Sequence, residues 1–256
     1  MSNLELIQGT PEWLAMRQRY IGASDVPVIL GLSPWMTPYQ LWEVKLGLRT
    51  VETNAAMQRG KDMEEEARQA FIARTGIEVE PKVVFHPTIP YLMASLDGLS
   101  TTGYTMVEIK CVNIKDHISA SKGVVPEKYY PQLQHQLEVT GLDDMNYFSY
   151  NSYSQYCILV KRDQPFIDKM LEAEKDFWRR VQEFDPPALC DADYVDMGYD
   201  EEWQSLSAAY IRASNDRKLL EKHEDALRDL LINKAEKKNA RGYGIKLTKY
   251  VRKGAV

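Results

Sequence analysis

Cysteine and histidine are both scarce in this chain, and neither is placed for chemistry. Its three cysteines, Cys111, Cys157 and Cys190, show no paired or zinc-like spacing. That argues against a disulfide framework or a structural zinc and reads as reduced, buried thiols in a cytosolic protein. The histidines, His86, His117, His135 and His223, are scattered and offer no metal-ligand pair. No apolar run approaches a membrane span. The opening MSNLELIQGTPEW lacks the basic-then-apolar order of a secretory signal. There is no GxGxxG or phosphate loop, no internal repeat and no low-complexity tract.

Basic charge is in modest deficit. The net charge of −5 argues against an indiscriminate nucleic-acid binder. The charge is segregated, however. From Glu183 to Trp203 there are acids and no Lys or Arg, whereas Lys234 to Lys253 holds eight Lys/Arg and one acid, Glu236. Such a run either forms a local basic surface or is a solvated tail. A length of 256 residues suits one sizeable domain and an appendage. The expected division is a domain over 1–190 and a C-terminal extension over 191–256.

Periodicity and breakers outline the elements. Residues 11–19 read as a short helix. Ser24 or Asp25 can cap a second over about 25–31, and 37–47 forms a third, ended by Gly47. In 59–75, Met63, Ala67, Ala70 and Arg74 form one line and Gly60, Glu64, Ala67 and Phe71 an adjacent one, so Glu64 lies at the edge of the buried face. Strands follow at 82–86, 91–97 and 104–112, then a helix at 127–140 and a hairpin of 145–151 and 155–161. A helix from Asp163 to about Phe184 stops at Pro186-Pro187. Residues 200–238 read as one long helix, and 242–252 as a strand or hairpin. This order predicts an α/β fold, a mixed central sheet flanked by helices, with a C-terminal helical extension.

One strand carries the most informative residues. Side chains alternate on a strand, so Tyr104, Met106, Glu108, Lys110 and Val112 share one face of 104–112. Asp97, followed by Gly98, closes the preceding run. Two carboxylates and an ammonium then converge from adjacent strands, as a Mg²⁺-dependent phosphodiesterase needs. Glu-x-Lys also occurs at Glu43–Lys45, Glu80–Lys82 and Glu236–Lys238. Only Glu108 sits mid-strand behind an Asp-Gly; Glu80 precedes Pro81, and the other two lie in helix-like stretches. From these residues alone, a solvated cross-strand salt bridge explains the pattern as well as an active site does.

Four segments together resemble a known family. Arg17…Ile21-Gly22-Ala23-Ser24-Asp25, Arg59-Gly60-Lys61…Glu64…Ala67-Arg68, Ser95-Leu96-Asp97-Gly98 with Val107-Glu108-Ile109-Lys110-Cys111, and Tyr130-Pro131-Gln132-Leu133-Gln134 resemble the motifs of the lambda-exonuclease and YqaJ-type viral recombinase nucleases. These belong to the PD-(D/E)xK superfamily. The likeness covers roughly residues 11–162. Leu96 stands where the superfamily motif has Pro, at a position that is not a ligand.

The resemblance implies roles. Asp97 and Glu108 would be the metal carboxylates, with the Ile109 backbone carbonyl as a further oxygen ligand. Lys110 would orient or deprotonate the attacking water and stabilise transition-state charge. Glu64 would reach a metal ion directly or through water, and Gln132 would contact the site or the scissile strand. Two Mg²⁺ ions, or Mn²⁺, about 4 Å apart would clamp attacking and leaving oxygens. Arg17 and Ser24 would hold a 5′-terminal phosphate, aided by a helix N-terminus. Apart from the resemblance, Trp35, Tyr39 and Trp42 could wedge or stack on bases, but core packing is the commoner fate of such residues and they are not counted in the site.

The implied activity is 5′-to-3′ digestion of linear double-stranded DNA by a cytoplasmic homotrimeric ring, without membrane attachment. It would leave a 3′ single strand for a single-strand annealing protein. A restriction-type endonuclease shares the Asp…Glu-x-Lys core and is the main alternative. A DNA-binding scaffold with a dead core does not explain the complete Asp97/Glu108/Lys110 set. A carboxylate-pair glycosidase does not explain Lys110 or the Arg17/Ser24 segment.

Overall fold

The computed structural model describes residues 11–52 and 54–250. Arg252 and Lys253, counted above in the basic tail, lie outside them. The chain divides after Tyr194 into two compact units. Among the described residues no helix is long and apolar enough to cross a membrane.

The first unit opens with α1 (Pro11–Gln18), β1 (Ile21–Gly22), a 3₁₀ turn at Ala23–Asp25, α2 (Val26–Ile29), α3 (Pro38–Lys45) and α4 (Ala55–Thr75). It continues with β2 (Val79–Phe85), β3 (Leu92–Ser100), β4 (Met106–Lys110), α5 (Ile114–Ser121), a 3₁₀ turn at Glu127–Tyr129, α6 (Tyr130–Thr140), β5 (Asp144–Asn151), β6 (Ser154–Lys161) and α7 (Gln164–Glu183). Local chemistry sets the ends. Thr37 and Gln40 form a reciprocal cap on α3, the Thr37 Oγ1 accepting from Gln40 N at 3.1 Å. Asp163 caps α7 by accepting from Phe166 N at 3.2 Å. Gly76 ends α4 at φ 71° and Gly141 ends α6 at φ 72°, conformations open to residues without a Cβ.

The sheet is mixed, as expected. β3 and β4 are antiparallel, β4 and β5 parallel, β5 and β6 antiparallel, with β2 antiparallel to β3 and β1 parallel to it. Helices cover both faces. Leu92, Ala94, Leu96, Met106 and Tyr147 pack with Leu133 and Leu137 of α6 and Ile167 and Phe177 of α7. On the other face Val107, Ile109, Phe148 and Tyr150 pack with Ala67 and Phe71 of α4. β4 is therefore buried on both sides, and the face carrying Glu108 and Lys110 meets α6 rather than solvent.

Four expectations are corrected. β3 does not stop at Asp97 but runs through it to Ser100. The helix expected over about 25–31 is a 3₁₀ turn and four helical residues; neither Ser24 nor Asp25 caps α2 with a side chain, and Asp25 instead accepts from Gly22 N at the start of the 3₁₀ turn. β1 and α5 lie outside the elements that the pattern predicts; each is short, and β1 exists through its pairing with Leu92 and Met93. The thiols are not all buried: Cys190 is exposed and Cys111 and Cys157 are half-buried.

The second unit holds α8 (Glu201–Lys234) and a hairpin of β7 (Ala240–Gly242) and β8 (Ile245–Leu247). Asp200 caps α8 by accepting from Trp203 N at 2.8 Å. The helix ends four residues before the expected Lys238, where Glu236 and Lys237 turn to positive φ. The hairpin turns on Tyr243-Gly244, both at positive φ, as a two-residue turn requires.

Candidate active site

A bulge in β3 creates the site. Leu96 pairs with Lys82 and Leu99 with Glu80, so Asp97 and Gly98 together oppose Pro81 alone. Two residues against one form a β-bulge, and a proline without an N–H suits the opposing position. Leu96 and Leu99 consequently both pack toward the larger core, although strict alternation would separate them. Gly98 is required there: a Cβ would lie 2.8 Å from both Val107 Cγ1 and Val79 Cγ2.

The same edge of β3 serves two neighbours. β1 pairs at Leu92–Met93 and β4 at Gly98–Leu99. Asp97 stands where β4 diverges, and its carboxylate replaces a ladder carbonyl: Oδ2 accepts from Ile109 N at 2.8 Å. The Asp97 carbonyl accepts instead from Arg68 Nε, also at 2.8 Å. Arg68 donates in turn to Glu64 at 2.8 Å and to Glu65. Helix α4 thereby delivers Glu64 to the strand fork.

Glu108, 2% exposed, is the hub. Its Oε1 accepts from Lys110 Nζ at 2.5 Å and Gln132 Nε2 at 2.6 Å, and its Oε2 from Gln136 Nε2 at 2.6 Å. Gln132 and Gln136 are one helical turn apart and point the same way from α6. Gln132, expected to contact the site or the scissile strand, donates to Glu108. Gln136 and Arg68 join the site without being expected there; the i, i+4 spacings Gln132–Gln136 and Glu64–Arg68 are the signals the sequence offers for them.

Electrostatics set the character of the fork. Burial, then the charge of Glu108, pushes the Asp97 carboxyl well above its usual range; Glu64 adds to this, while Lys110 and the Ile109 N–H oppose it. Burial also raises Glu64, Arg68 opposing and Glu108 adding. Burial disfavours the Lys110 charge, but Glu108 and Asp97 outweigh it and hold the ammonium protonated. The same burial and the Asp97 and Glu64 charges push the adjacent Cys111 thiol up to about 11, which keeps it unreactive at neutral pH.

These residues fit a small hard cation. Among the described residues no group of three or more His, Cys, Asp or Glu side chains converges as a complete metal cage. Mg²⁺ does not need one, since it takes one or two carboxylates and keeps water. Asp97 Oδ1 carries no protein hydrogen bond among the described residues, and Glu108 uses three of its roughly four acceptor positions. The Gln136 Oε1 is buried without a donor. Mutually repelling carboxylates with spare lone pairs would gain from a divalent charge. Asp97, Glu108 and the Ile109 carbonyl would hold it, with Glu64 beside them.

Arg17 and Ser24 come together in a second cluster. Arg17 Nη2 donates to Ser24 Oγ at 2.8 Å and to Asp25 Oδ1 at 2.7 Å. Asp25, 4% exposed, also accepts from Lys45 Nζ at 2.6 Å and Gly22 N at 2.9 Å. Lys45 donates further to the carbonyls of Arg17 and Tyr20, at 2.9 and 2.7 Å. Burial works against the Asp25 charge, but Lys45 and Arg17 together pull its pKa below the ordinary value. The positive charge here comes from side chains, because a four-residue helix has little dipole to offer. Lys45, set aside above as a Glu-x-Lys in a helix, is an internal strut of this cluster. Both clusters belong to one framework: β1 and the 3₁₀ turn pack on β3 and α6, which also carry Asp97 and the two glutamines.

A mixed sheet with helices on both faces and an acid-lysine fork between two strands is the PD-(D/E)xK-type architecture. A model of the YqaJ-like viral recombinase domain matches residues 12–143, and the chain belongs to that family, as the motifs implied. The uncharacterized protein YqaJ of Bacillus subtilis (strain 168) is 31% identical over 186 residues, covering 70% of this chain and 58% of that protein. The chain thus spans less than two thirds of that relative. The crystal structure of the alkaline exonuclease LHK-Exo from Laribacter hongkongensis matches with a TM-score of 0.60 at 31% identity, over 68% of this chain and 93% of that one. LHK-Exo in complex with dAMP matches with the same TM-score at 30% identity, again over 68% and 93%.

Proposed function

We propose that this protein is a Mg²⁺-dependent exonuclease that digests one strand of linear duplex DNA from its 5′ end. The product is a 3′ single strand suited to recombination by annealing. The observation that carries this reading is the strand fork, where Asp97, Glu108 and Lys110 meet against Gln132 and Gln136. The similarity to LHK-Exo, an alkaline exonuclease, supports it.

Asp97, Glu108 and the Ile109 carbonyl would hold a divalent cation and Glu64 a second, and these would supply Lewis acidity toward the scissile phosphate. Mg²⁺ is the first choice, and Mn²⁺ can replace it at such oxygen ligands. Lys110, kept protonated, is no base, which leaves the orienting role of the two expected: it would position the attacking water, whose proton passes to bulk solvent, and offset charge on the phosphoryl oxygens. Gln132 and Gln136 fix the Glu108 carboxylate, so its remaining lone pair keeps one direction. Arg68 holds Glu64 and the Asp97 backbone together. Arg17 and Ser24 receive the 5′-terminal phosphate, Asp25 and Lys45 holding Arg17 in place. A cytoplasmic homotrimeric ring acting with a single-strand annealing protein completes the proposal.

The test uses linear and circular duplex with 5′-phosphate or 5′-hydroxyl ends. Digestion should require Mg²⁺, stop in EDTA, spare the circle and favour the phosphorylated end. Full activity in EDTA or in Lys110→Ala would sink the metal mechanism. Cleavage of the circle would turn the reading toward an endonuclease. Light scattering that gives a monomer would remove the ring.

A further inference from the structure

Trp35 stands apart from its neighbours in sequence. Trp42 is buried and donates its Nε1 to the Arg180 carbonyl at 3.2 Å, and Tyr39 packs against it. Trp35 is 65% exposed in the loop between α2 and α3. A singly exposed apolar side chain is ordinary, but an indole fixed by specific partners is not. Its position is built by charged and aromatic partners. Lys128 Nζ lies 4.8 Å from the Trp35 ring centroid and 5.1 Å from that of Tyr129, and is anchored by Asp116 at 2.7 Å. The Asp116 backbone N–H is in turn bound by the Asn113 side chain, at 3.1 Å.

The rings lead to the fork. Trp35 stacks with Tyr129 at 6.4 Å between centroids, and Tyr129 with the buried Tyr147 at 6.2 Å. Lys110 Nζ lies 5.2 Å from the Tyr129 centroid. The indole is consequently within roughly 12 Å of the Lys110 ammonium, the reach of about three stacked nucleotides at ~3.4 Å each. A flat, half-uncovered ring beside a lysine at this distance from a phosphodiester-cutting centre has the composition of a single-strand stacking platform.

We infer that Trp35, held by Lys128 and Tyr129, is a stacking site for a nucleobase of the DNA strand engaged at the fork, within three nucleotides of the scissile phosphate. The inference rests on the nuclease reading for its ligand. Tyr129 ties the platform to Lys110, so a base seated on Trp35 sets the register of the phosphate presented to the cation site. Base identity is not read, because every base offers a π-face.

The test measures binding of linear duplex with 2-aminopurine at one of the first three positions from the 5′ end. Ca²⁺ replaces Mg²⁺, and wild type is compared with Trp35→Ala and Trp35→Phe. Wild type should quench the fluorescent base at one position. Trp35→Ala should lose the quench and bind about 5- to 150-fold more weakly, the range expected on removing a base-stacking aromatic. Trp35→Phe should keep most of both. An abasic site at that position should weaken wild type by a similar factor and leave Trp35→Ala unchanged. Equal binding of intact and abasic ends by wild type, or penalties that multiply when both changes are made, overturns the platform. If Mg²⁺-dependent digestion proceeds with unchanged KM and quench in Trp35→Ala, the platform falls and the nuclease reading stands. If wild type cuts nothing but still shows Trp35-dependent quenching, Trp35 stands as a base-stacking contact on a DNA end, while its register to a scissile phosphate and the nuclease reading fall. A wild type that neither binds nor cuts DNA overturns both.

Discussion

Glu108 and Asp25 are both buried carboxylates, and their surroundings push them toward opposite partners. Glu108 meets one ammonium and two amides, with the carboxylates of Asp97 and Glu64 close enough to repel it. Asp25 lies between two cations, Arg17 and Lys45. Burial alone raises the pKa of any carboxyl. At the fork it is reinforced, and Asp97 rises; in the Arg17 cluster it is overcome, and Asp25 falls. The fork gathers carboxylates, the charge sense a cation site needs, whereas the Arg17 cluster sets two cations around one carboxylate, the sense a phosphate site needs. A nuclease that cuts from an end needs both.

The harshest test of this contrast is removal of one charge from each hub. Glu108→Gln keeps the shape but takes a ligand charge away, and Mg²⁺-dependent digestion should fall by about 10²–10³-fold or more, the scale of losing one electrostatic contact at a reacting phosphate. Unchanged turnover would show that the fork is only a buried salt bridge. Asp25→Asn should cost stability instead, because Lys45, 3% exposed, is left without its counter-charge. Breaking a buried pair costs ~3–5 kcal/mol, readable in urea unfolding. A loss below ~1 kcal/mol would mean Lys45 is satisfied by its two carbonyls alone.

Arg17→Ala should be milder. On the proposed reading it removes a charge-assisted contact to the end phosphate worth ~1.5–3 kcal/mol. The preference for 5′-phosphate over 5′-hydroxyl ends should shrink by roughly 10- to 150-fold, with circular DNA still intact. A preference that survives would detach this cluster from end recognition.

Legibility in the sequence followed the range of each interaction. Helices α4, α6 and α7 and strands β5 and β6 are readable because their apolar periods and end signals are local. Glu108 and Lys110 are readable because alternation within one strand fixes them. The bulge at Asp97 is not, since it depends on Pro81 of a different strand, and pattern alone therefore ends β3 too early. Lys45 looks ordinary because it lies in a helix; its partners Asp25 and Tyr20 are at least twenty residues away. Gln136 differs: it sits one turn from Gln132 and was within reach of pattern reading. The PD-(D/E)xK motif names the residues at the fork, but the contacts that hold them still come from elements remote in sequence.

The smallest effect expected is also the most telling, since it predicts a gain. The Asp97 pKa in the folded protein lies above its ordinary value of 3.8. Folding is therefore opposed as pH rises above about 3.8, and the full penalty applies once Asp97 is ionised in both states. Asp97→Asn keeps an oxygen for the Ile109 N–H and removes the charge. In EDTA at neutral pH it should melt at a higher temperature than wild type, and the advantage should vanish as pH falls toward 3.8. Asp25→Asn should do the reverse: its deficit, full above about 3.8, should fade as pH drops through the lowered Asp25 pKa. Excess Mg²⁺ should then stabilise wild type but not Asp97→Asn, because only wild type offers the site. If Asp97→Asn melts lower than wild type in EDTA at neutral pH, the repulsion at the fork is weaker than the hydrogen bond it carries. The fork then holds no stored charge imbalance for a cation to relieve.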